Sequence, residues 1–223
     1  MIKTKSKGNL IVISGPSGAG KGTIINKLME LNKNIWLSVS ATTREIRSND
    51  IENVTYFFYT KEEFEEKIRN DEFLEYAIYS DNYYGTPKVE INKKLDKGID
   101  VILEIEIQGA LQIKELVPDA IFIFIMPPSM DILKKRLENR GTDSEDKILK
   151  RFKRAYTEIN EVTKYNYVVI NDDVDMAVNK VNSILLSERC RVDRIEEIYL
   201  NSEEERLHEE LVNKELINEN RDI

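Results

Sequence analysis

Cysteine and histidine are nearly absent, since the 223-residue sequence contains one of each, Cys190 and His208. A single cysteine leaves no intrachain disulfide and no cluster of thiolate metal ligands. A single histidine, set in a charged C-terminal segment, argues against a Ser-His-Asp triad, a Cys-His pair or a histidine-based zinc site. The chemistry must therefore rest on lysine, arginine, carboxylates, hydroxyls and backbone dipoles. Phosphoryl transfer is the major reaction class that needs little else.

Long apolar runs are also missing. No stretch reaches membrane-spanning length, and the N-terminal residues lack the apolar core of a signal peptide. The net charge is -8 and the pI is about 5.0, which argues against general affinity for nucleic acid or an anionic membrane. We therefore expect a cytoplasmic protein with no nucleic-acid or membrane partner, in which a local cluster of basic residues holds any anionic ligand.

The most informative stretch begins with Leu10–Ser14, which predicts a strand buried on both faces. The run Gly15-Pro-Ser-Gly-Ala-Gly-Lys21 follows, and apolar residues at helical spacing come directly after it. Strand, Gly-x-x-x-x-Gly-Lys and helix together predict a phosphate-binding loop, in which backbone N–H groups and Lys21 hold an anion. An ordinary glycine-rich turn is the alternative, and the lysine and both flanks disfavour it.

The residue after the lysine departs from the general motif. Ser or Thr is usual there, with a hydroxyl that ligates Mg²⁺, but this sequence has Gly22, with Thr23 one residue later. We therefore expect Mg²⁺ to be held mainly through nucleotide phosphates and water, with Thr23 as a candidate phosphate contact. The departure favours a small nucleotide kinase over a GTPase or an ATPase motor.

Charged residues outside this loop form two further candidate clusters. Arg44 and Arg47 lie in a polar turn, and arginine is suited to bidentate capture of phosphate. Glu104 and Glu106 lie in a predicted strand over 100–109, where residues two apart share a face. Carboxylates in a buried strand are costly unless cations, a metal ion or ligand N–H groups compensate them. We therefore favour a binding site over purely structural salt bridges.

Strands and helices alternate along the chain. Strands are predicted over 10–14, 35–40, 54–59, 73–79, 100–109, 120–126 and 167–173, and a turn over 82–87. With helices between them, this order predicts an α/β, three-layer P-loop NTPase fold with a mostly parallel central sheet. We assign 1–35, 87–126 and 158–187 to the core, 36–86 to a mixed α/β insertion, 127–157 to a helical lid and 188–223 to a charged helical tail.

Six separated motifs resemble those of guanylate kinase in order and spacing. They are Gly15-Pro-Ser-Gly-Ala-Gly-Lys21, Ser38-Val-Ser-Ala-Thr-Thr-Arg44 with Arg47, Asn82-Tyr-Tyr-Gly-Thr86, Glu104-Ile-Glu-Ile-Gln-Gly109, Arg140-Gly-Thr-Asp-Ser-Glu145 and Val169-Ile-Asn-Asp-Asp173. The resemblance runs from about residue 9 to residue 191. It implies reversible phosphoryl transfer from ATP to GMP or dGMP with Mg²⁺, in purine nucleotide metabolism, and it makes 36–86 the GMP-binding insertion.

The resemblance also implies roles for single residues. For GMP it implies Ser40, Arg44, Arg47, Tyr56, Glu75, Tyr84, Thr86 and Glu106, with the arginines and tyrosines on the phosphate. For ATP it implies Gly15, Pro16, Ser17, Gly18, Ala19, Gly20, Lys21, Gly22 and Thr23, with Asn171 near the base. The implied catalytic residues are Lys21, Arg44, Arg136, Arg140 and Arg151, the last three being lid arginines, and Glu104 is placed near the metal.

Base selection would depend on Glu75, which is matched to the carboxylate that accepts from guanine N1–H and the 2-amino group. Adenine lacks both donors, so AMP would leave that carboxylate unsatisfied, and discrimination of this kind can reach several orders of magnitude. Ser40 and Thr86 are matched to the hydroxyl partners of guanine O6. Family members often carry proline, glycine and glutamate where this chain has Ile46, Asn49 and Asp50, so the turn around Arg47 is expected to be less rigid.

Three alternatives remain open at this point. The first is a kinase for AMP or UMP, against which Glu75, Ser40 and Thr86 argue. The second is a non-catalytic guanylate-kinase-like interaction module, which typically lacks the working phosphate loop that this chain keeps. The third is a regulatory GTPase, which would want Ser or Thr at position 22 and an Asn-Lys-x-Asp motif, and neither is present. The oligomeric state is undecided.

Overall fold

The computed structural model describes residues 3–5, 7–48, 50–79, 81–139, 145–195, 197–199 and 202–219. Its strands are β1 (Lys3–Lys5), β2 (Leu10–Ser14), β3 (Ile35–Leu37), β4 (Ser40–Thr42), β5 (Tyr56–Phe58), β6 (Phe73–Tyr79), β7 (Asn82–Pro87), β8 (Asp100–Glu104), β9 (Ile121–Met126), β10 (Tyr167–Ile170) and β11 (Glu197–Tyr199). Its α-helices are α1 (Lys21–Leu31), α2 (Lys61–Arg69), α3 (Lys88–Leu95), α4 (Ile107–Leu116), α5 (Met130–Glu138), α6 (Glu145–Ile159), α7 (Val174–Arg189) and α8 (Ser202–Glu219). Asn49, Arg140 and 141–144 lie outside the described residues.

The central sheet has five strands in the order β10-β9-β2-β8-β3, and every neighbouring pair is parallel. Successive side chains of a strand point to opposite faces. In β2, Ile11 and Ile13 pack with apolar residues of α1 and α7, whereas Leu10 and Val12 pack with those of α3 and α4. Helices therefore cover both faces, which confirms the predicted three-layer α/β fold.

A second sheet has four strands in the order β5-β4-β7-β6, with one parallel pair, β4 and β5. Helix α2 packs on it through Phe64, whose ring stacks on those of Phe73 and Tyr83 at centroid distances of 4.3 and 5.1 Å. The predicted capping box at the start of α2 is present, because Thr60 and Glu63 each bond the other's backbone N–H. The second sheet thus has a small aromatic core of its own.

Two predicted elements of this region are wrong. The segment 35–40 is not one strand, because the chain leaves the central sheet after β3 and enters the second sheet as β4. The segment 82–87 is not a turn but strand β7, because the chain reverses one residue earlier, at Asp81, whose φ is 64°. Gly85 lies inside that strand. A side chain does not fit at this position, because a Cβ there would stand 2.9 Å from the ring of Phe64.

The predicted strand over 100–109 is also too long. β8 ends at Glu104, which pairs with Ile13 near the end of β2. Ile107, Ala110 and Ile113 then recur at helical spacing and are buried, so the chain continues as α4 with Glu106 at its N-cap. Glu104 and Glu106 therefore do not share the face of a strand.

Helices α5 and α6 pack against each other through Leu133, Leu137 and Ala155. The Ser129 side chain caps α5 by accepting from the backbone N–H of Ile132 at 3.2 Å. This pair of helices lies in the connection from β9 to β10, which are parallel, so the connection carries the chain from the carboxyl edge of the central sheet back to its amino edge.

The N-terminal strand β1 pairs with β11 in a two-stranded antiparallel ribbon, which the sequence pattern did not predict. The predicted helix of the C-terminal tail is present as α8. Arg194 fastens the segment before β11 to the core by donating to the Asn9 side chain at 3.1 Å and to the Asp119 carbonyl at 2.9 Å. None of the helices in the described part of the chain combines the length and the apolar character that a membrane span requires.

Candidate active site

A cleft of about 650 Å³ opens where β2 and β8 end, with the second sheet forming one wall. The carboxyl edge of a parallel sheet is the usual place for a ligand in such folds. The cleft brings together most of the predicted site residues, namely Ser17, Gly18, Gly20, Lys21, Gly22, Thr23, Ser40, Arg44, Arg47, Tyr56, Glu75, Tyr84, Glu104, Glu106 and Arg151.

Two glycines give the loop after β2 its shape. Gly15 and Gly20 have φ values of 145° and 91°, which side chains rarely allow. A Cβ would lie 2.1 Å from the Ile125 carbonyl oxygen at Gly15 and 2.3 Å from Asn171 Nδ2 at Gly20. Lys21 Nζ donates to the Gly15 carbonyl at 2.6 Å, so the lysine folds over its own loop. A phosphate in the loop would offer this ammonium a charged, stronger acceptor.

Several predicted residues lie behind the loop rather than in the cleft wall. Asn171 is buried, and its Nδ2 donates to the Ala19 carbonyl at 2.7 Å. Arg136 Nη2 donates to the Asn171 carbonyl at 2.9 Å. Both side chains thus support the loop from below. Gly15, Pro16, Ala19 and Thr86 also stand outside the wall, and Arg140 lies outside the described residues.

Arg44 is held in the cleft by an acidic partner, Asp50. The pair is bidentate, with Nη1–Oδ2 and Nη2–Oδ1 distances of 2.7 and 3.1 Å, and the two side chains are only 11% and 9% exposed. The Arg44 guanidinium lowers the pKa of the Asp50 carboxyl. Asp50 also accepts from the backbone N–H of Arg47 at 2.7 Å. It therefore stabilises the turn over 44–50, in which Ile46 stands where family members often have proline. Tyr56 lies under the Arg44 guanidinium, 5.3 Å from ring centroid to Cζ.

Glu75 lies at the bottom of the cleft and is 7% exposed. Thr86 Oγ1 donates to its Oε1 at 2.6 Å. Burial raises the pKa of the Glu75 carboxyl, and the Thr86 hydrogen bond opposes that shift. Gly109 of α4 faces the other oxygen, since a Cβ there would lie 2.7 Å from Oε2. Sequence reasoning gave Gly109 no role, although glycine in a helix, where it is less favourable than alanine, was a signal.

Glu104 and Glu106 both line the cleft although they do not share a strand face. Glu104 faces open space, but the surrounding walls remove part of its water and raise the pKa of its carboxyl, while Lys21 lowers it. Glu104 Oε2 lies 3.9 Å from where a Cβ of Gly22 would stand. This carboxylate therefore faces the position of the hydroxyl that the loop lacks.

Helix α6 contributes two arginines to the cleft, Arg151 and Arg154. Sequence reasoning selected Arg151 and counted Arg154 only among the basic residues of the helix. Its spacing of three from Arg151, which puts both on one helix face, was the available signal. Arg154 bonds to Glu106 and to Glu158, at 2.8 and 2.6 Å.

A family model described as guanylate kinase matches residues 7–188. The chain belongs to the guanylate kinase family. Guanylate kinase of Caldanaerobacter subterraneus subsp. tengcongensis is 57% identical over 204 residues, which cover 92% of this chain and 99% of that protein. The guanylate kinase of Clostridium acetobutylicum is also 57% identical over 204 residues, covering 92% and 97% of the two chains. A crystal structure of guanylate kinase from Anaplasma phagocytophilum superposes with a TM-score of 0.72 at 34% identity, covering 86% of this chain and 92% of that one.

Membership of the guanylate kinase family makes the chain an ATP:GMP phosphotransferase, a nucleoside monophosphate kinase with the P-loop NTPase fold. The predicted family, fold class and enzyme class are therefore confirmed. The three alternatives that the sequence left open give way to this assignment.

Proposed function

We propose that the cleft binds GMP or dGMP against the second sheet and ATP at the phosphate-binding loop, so that the two phosphates meet beside Lys21. The observation that supports this most is the buried carboxylate of Glu75, which lines the same cleft as the loop lysine. A buried carboxylate suits a base that offers N–H donors, and the loop suits a polyphosphate.

Base selection belongs to Glu75 in this proposal, because an ionised carboxylate accepts hydrogen bonds from guanine N1–H and the 2-amino group. A hydroxyl has only one proton, and that of Thr86 is donated to Glu75 Oε1. We therefore assign Thr86 to the orientation of Glu75 and leave Ser40, on the neighbouring strand, as the donor to guanine O6.

The GMP phosphate is assigned to Arg44, Arg47, Tyr56 and Tyr84, all of which line the cleft. A guanidinium carries five N–H donors in one plane. Since Asp50 accepts from Nη1 and Nη2 of Arg44, the pair fixes the plane of the guanidinium before a phosphate arrives.

In the reaction, an oxygen of the GMP phosphate attacks the γ-phosphorus of ATP, and the bond to the β–γ bridging oxygen breaks. The attacking oxygen is already anionic near neutral pH, so no general base is needed. Lys21, Arg140 and Arg151 neutralise the charge of the transferring group, and the cleft supplies in-line positioning. Arg136 is assigned to catalysis through the loop that it supports, because its Nη2 donates to the Asn171 carbonyl behind that loop. Asn171 is assigned to the ATP side, where its bond to Ala19 holds the loop.

Mg²⁺ is assigned to the ATP phosphates and water, with Glu104 as the nearby carboxylate and Thr23 as a phosphate contact. Among the described residues no group of three or more His, Cys, Asp or Glu could hold a metal ion by itself. This donor set suits Mg²⁺, which usually takes one or two carboxylates together with substrate phosphates and keeps several waters. When bound, the ion neutralises charge on the transferring phosphoryl group.

The division into core (1–35, 87–126 and 158–187), GMP-binding insertion (36–86), lid (127–157) and tail (188–223) belongs to the same proposal. It is supported by the separate apolar clusters of the central sheet, of the second sheet and of α5 with α6. Closure of the insertion and the lid would exclude water and limit ATP hydrolysis. A role in GMP recycling and a cytoplasmic location stay predictions.

The test is release of ADP by the purified protein with ATP and Mg²⁺, measured separately with GMP, dGMP, AMP, CMP and UMP. We expect turnover with GMP and dGMP only, and a loss of at least about a hundredfold in Lys21→Ala, because transition-state charge goes uncompensated. Turnover with AMP at a rate near that with GMP would overturn the assignment of Glu75. A near-normal rate in Lys21→Ala would overturn the assignment of the loop.

A further inference from the structure

Arg154 joins two parts of the cleft that are far apart in sequence. It lies on α6, three residues after Arg151, and its side chain is 38% exposed. Its Nη2 donates to Oε2 of Glu106 at 2.8 Å, across 48 residues of sequence. Its Nε donates to Oε1 of Glu158 at 2.6 Å, four residues further along the same helix. One guanidinium therefore bridges the lid helix and the N-terminus of α4.

Glu158 fixes the orientation of this guanidinium. Its side chain is only 12% exposed, so it is a well-packed anchor rather than a solvated surface charge. Residues four apart lie on the same face of a helix. Because the guanidinium is planar and rigid, an acceptor on Nε sets the direction in which Nη2 points. Nη2 points to Glu106.

Glu106 depends on this contact for its own orientation. It occupies the N-cap of α4, yet its side chain makes no capping hydrogen bond there and is 63% exposed. The carboxylate would therefore have wide rotational freedom without Arg154. The bond to Arg154 engages Oε2 of a side chain that lines the cleft, so Oε1 is the oxygen to which a ligand hydroxyl or amino group can donate.

We propose that Arg154 is a positioning residue for the acceptor nucleotide, which orients Glu106 toward GMP from the lid helix. The proposal rests on the function proposed above and on the GMP contact that the family resemblance implies for Glu106, which lines the cleft. It predicts an effect on GMP affinity with little effect on ATP affinity, because the Glu106 side of the cleft faces the acceptor. It also predicts a lower thermal midpoint in Arg154→Ala, because the well-packed Glu158 carboxylate loses its partner, so affinities are compared at a temperature well below that midpoint.

The experiment measures dissociation constants for GMP alone and for ATP alone by isothermal titration calorimetry. In Arg154→Ala we expect GMP to bind about fivefold more weakly and ATP within about twofold of the parent protein, the size expected for one partly exposed charge-assisted contact. Arg154→Lys should recover part of the loss, since an ammonium can reach one carboxylate but not hold both. Lys153→Ala, the neighbouring exposed lysine of α6, is the matched control.

Glu158→Gln tests whether positioning is the cause. We expect the same direction of change at about half the size on a logarithmic scale, because the guanidinium loses its charged anchor but keeps its contact with Glu106. In the double variant with Arg154→Ala the Glu158 effect should disappear, since the two side chains act through one contact.

Three outcomes would overturn the proposal. They are unchanged GMP affinity in Arg154→Ala, an equal loss of ATP affinity, or a Glu158→Gln effect that persists without Arg154. The failure of the wider functional proposal has a different result, because the parent protein would then not phosphorylate GMP at all. The thermal midpoint of each variant, measured alongside, separates loss of binding from loss of fold.

Discussion

At the scale of single residues, Glu75 shows a conflict between stability and binding. Its burial raises the pKa of the carboxyl, so the native state holds a proton more tightly than the unfolded chain does. The free energy of unfolding therefore falls as the pH rises from the unfolded pKa through the native one. Binding of guanine needs the opposite, an ionised acceptor, so GMP affinity should fall as the pH drops through the native pKa of Glu75.

Glu75→Gln should separate the two effects. The amide keeps an oxygen for the Thr86 hydroxyl but turns an NH₂ group toward the guanine donors. We expect kcat/KM for GMP to fall by at least about a hundredfold, as for other lost polar base contacts. The thermal midpoint should rise most at pH values above the native pKa of Glu75, where the parent carboxylate is charged and buried, and the difference should shrink as the pH falls through that pKa. Glu66→Gln, on the exposed side of α2, is the control and should change neither kcat/KM for GMP nor the thermal midpoint. Undiminished GMP turnover in Glu75→Gln would contradict the assignment of Glu75 to guanine recognition.

At the scale of elements, helix α4 meets strand β6 through Gly109, which stands against the Glu75 carboxylate. In Gly109→Ala the new methyl would lie 2.7 Å from Oε2, so the carboxylate must move. We expect KM for GMP to rise about tenfold while kcat changes less, because displacement by a fraction of an ångström weakens positioning first.

The helix itself gains up to about 1 kcal/mol from replacing glycine by alanine, so the variant should fold at least as well as its parent unless the clash outweighs that gain. Gln112→Ala, on the exposed side of the same helix, is the control. A KM for GMP that stays within twofold of the parent value would show that Glu75 tolerates the methyl group.

The elements themselves were predictable where a strand or helix follows its own sequence period. β2, β9 and the loop glycines emerged from apolar runs and spacing alone, whereas the strand predicted over 167–173 is present as β10 but ends at Ile170. The wrong boundaries lie where the decisive contact is distant: 35–40 splits because β3 and β4 pair with different partners. Likewise β7 extends through 82–87 because β4 and β6 flank it.

The site divides in the same way. The resemblance indicated Arg44 and Lys21, because each lies in a short local motif, and it matched Glu75 within the strand predicted over 73–79. It could not indicate that Asp50 fastens the Arg44 turn, or that Arg154 reaches Glu106 across 48 residues. These contacts depend on side-chain geometry in the folded chain. No local pattern of residue spacing in the sequence predicts them.

At the scale of the whole molecule, the ion pairs just beyond the matched region are part of the core. The family model ends at Glu188, which is buried and accepts from Arg194 at 2.9 Å. Arg189 Nε donates to Asp100 at 3.0 Å, and Asp100 is fully buried at the start of β8. By contrast, Leu207 and Leu211 of α8 are 56% and 53% exposed, so the part of that helix whose side chains the structure describes buries little apolar surface.

Two truncations should therefore behave differently. A chain ending at Ile195 loses β11 and α8 but keeps Arg189 and Arg194, and we expect kcat/KM for GMP within about twofold of the parent and a small drop in thermal midpoint. A chain ending at Glu188 leaves two buried carboxylates without their arginines, which should cost about 3–5 kcal/mol for each broken pair and prevent stable folding. Circular dichroism melts and GMP turnover of both proteins check this.

If the chain ending at Glu188 melted at the same temperature as the chain ending at Ile195, Arg189 and Arg194 would not be what stabilises the C-terminal part of the core. If the chain ending at Ile195 lost its activity, the tail would belong to the functional enzyme.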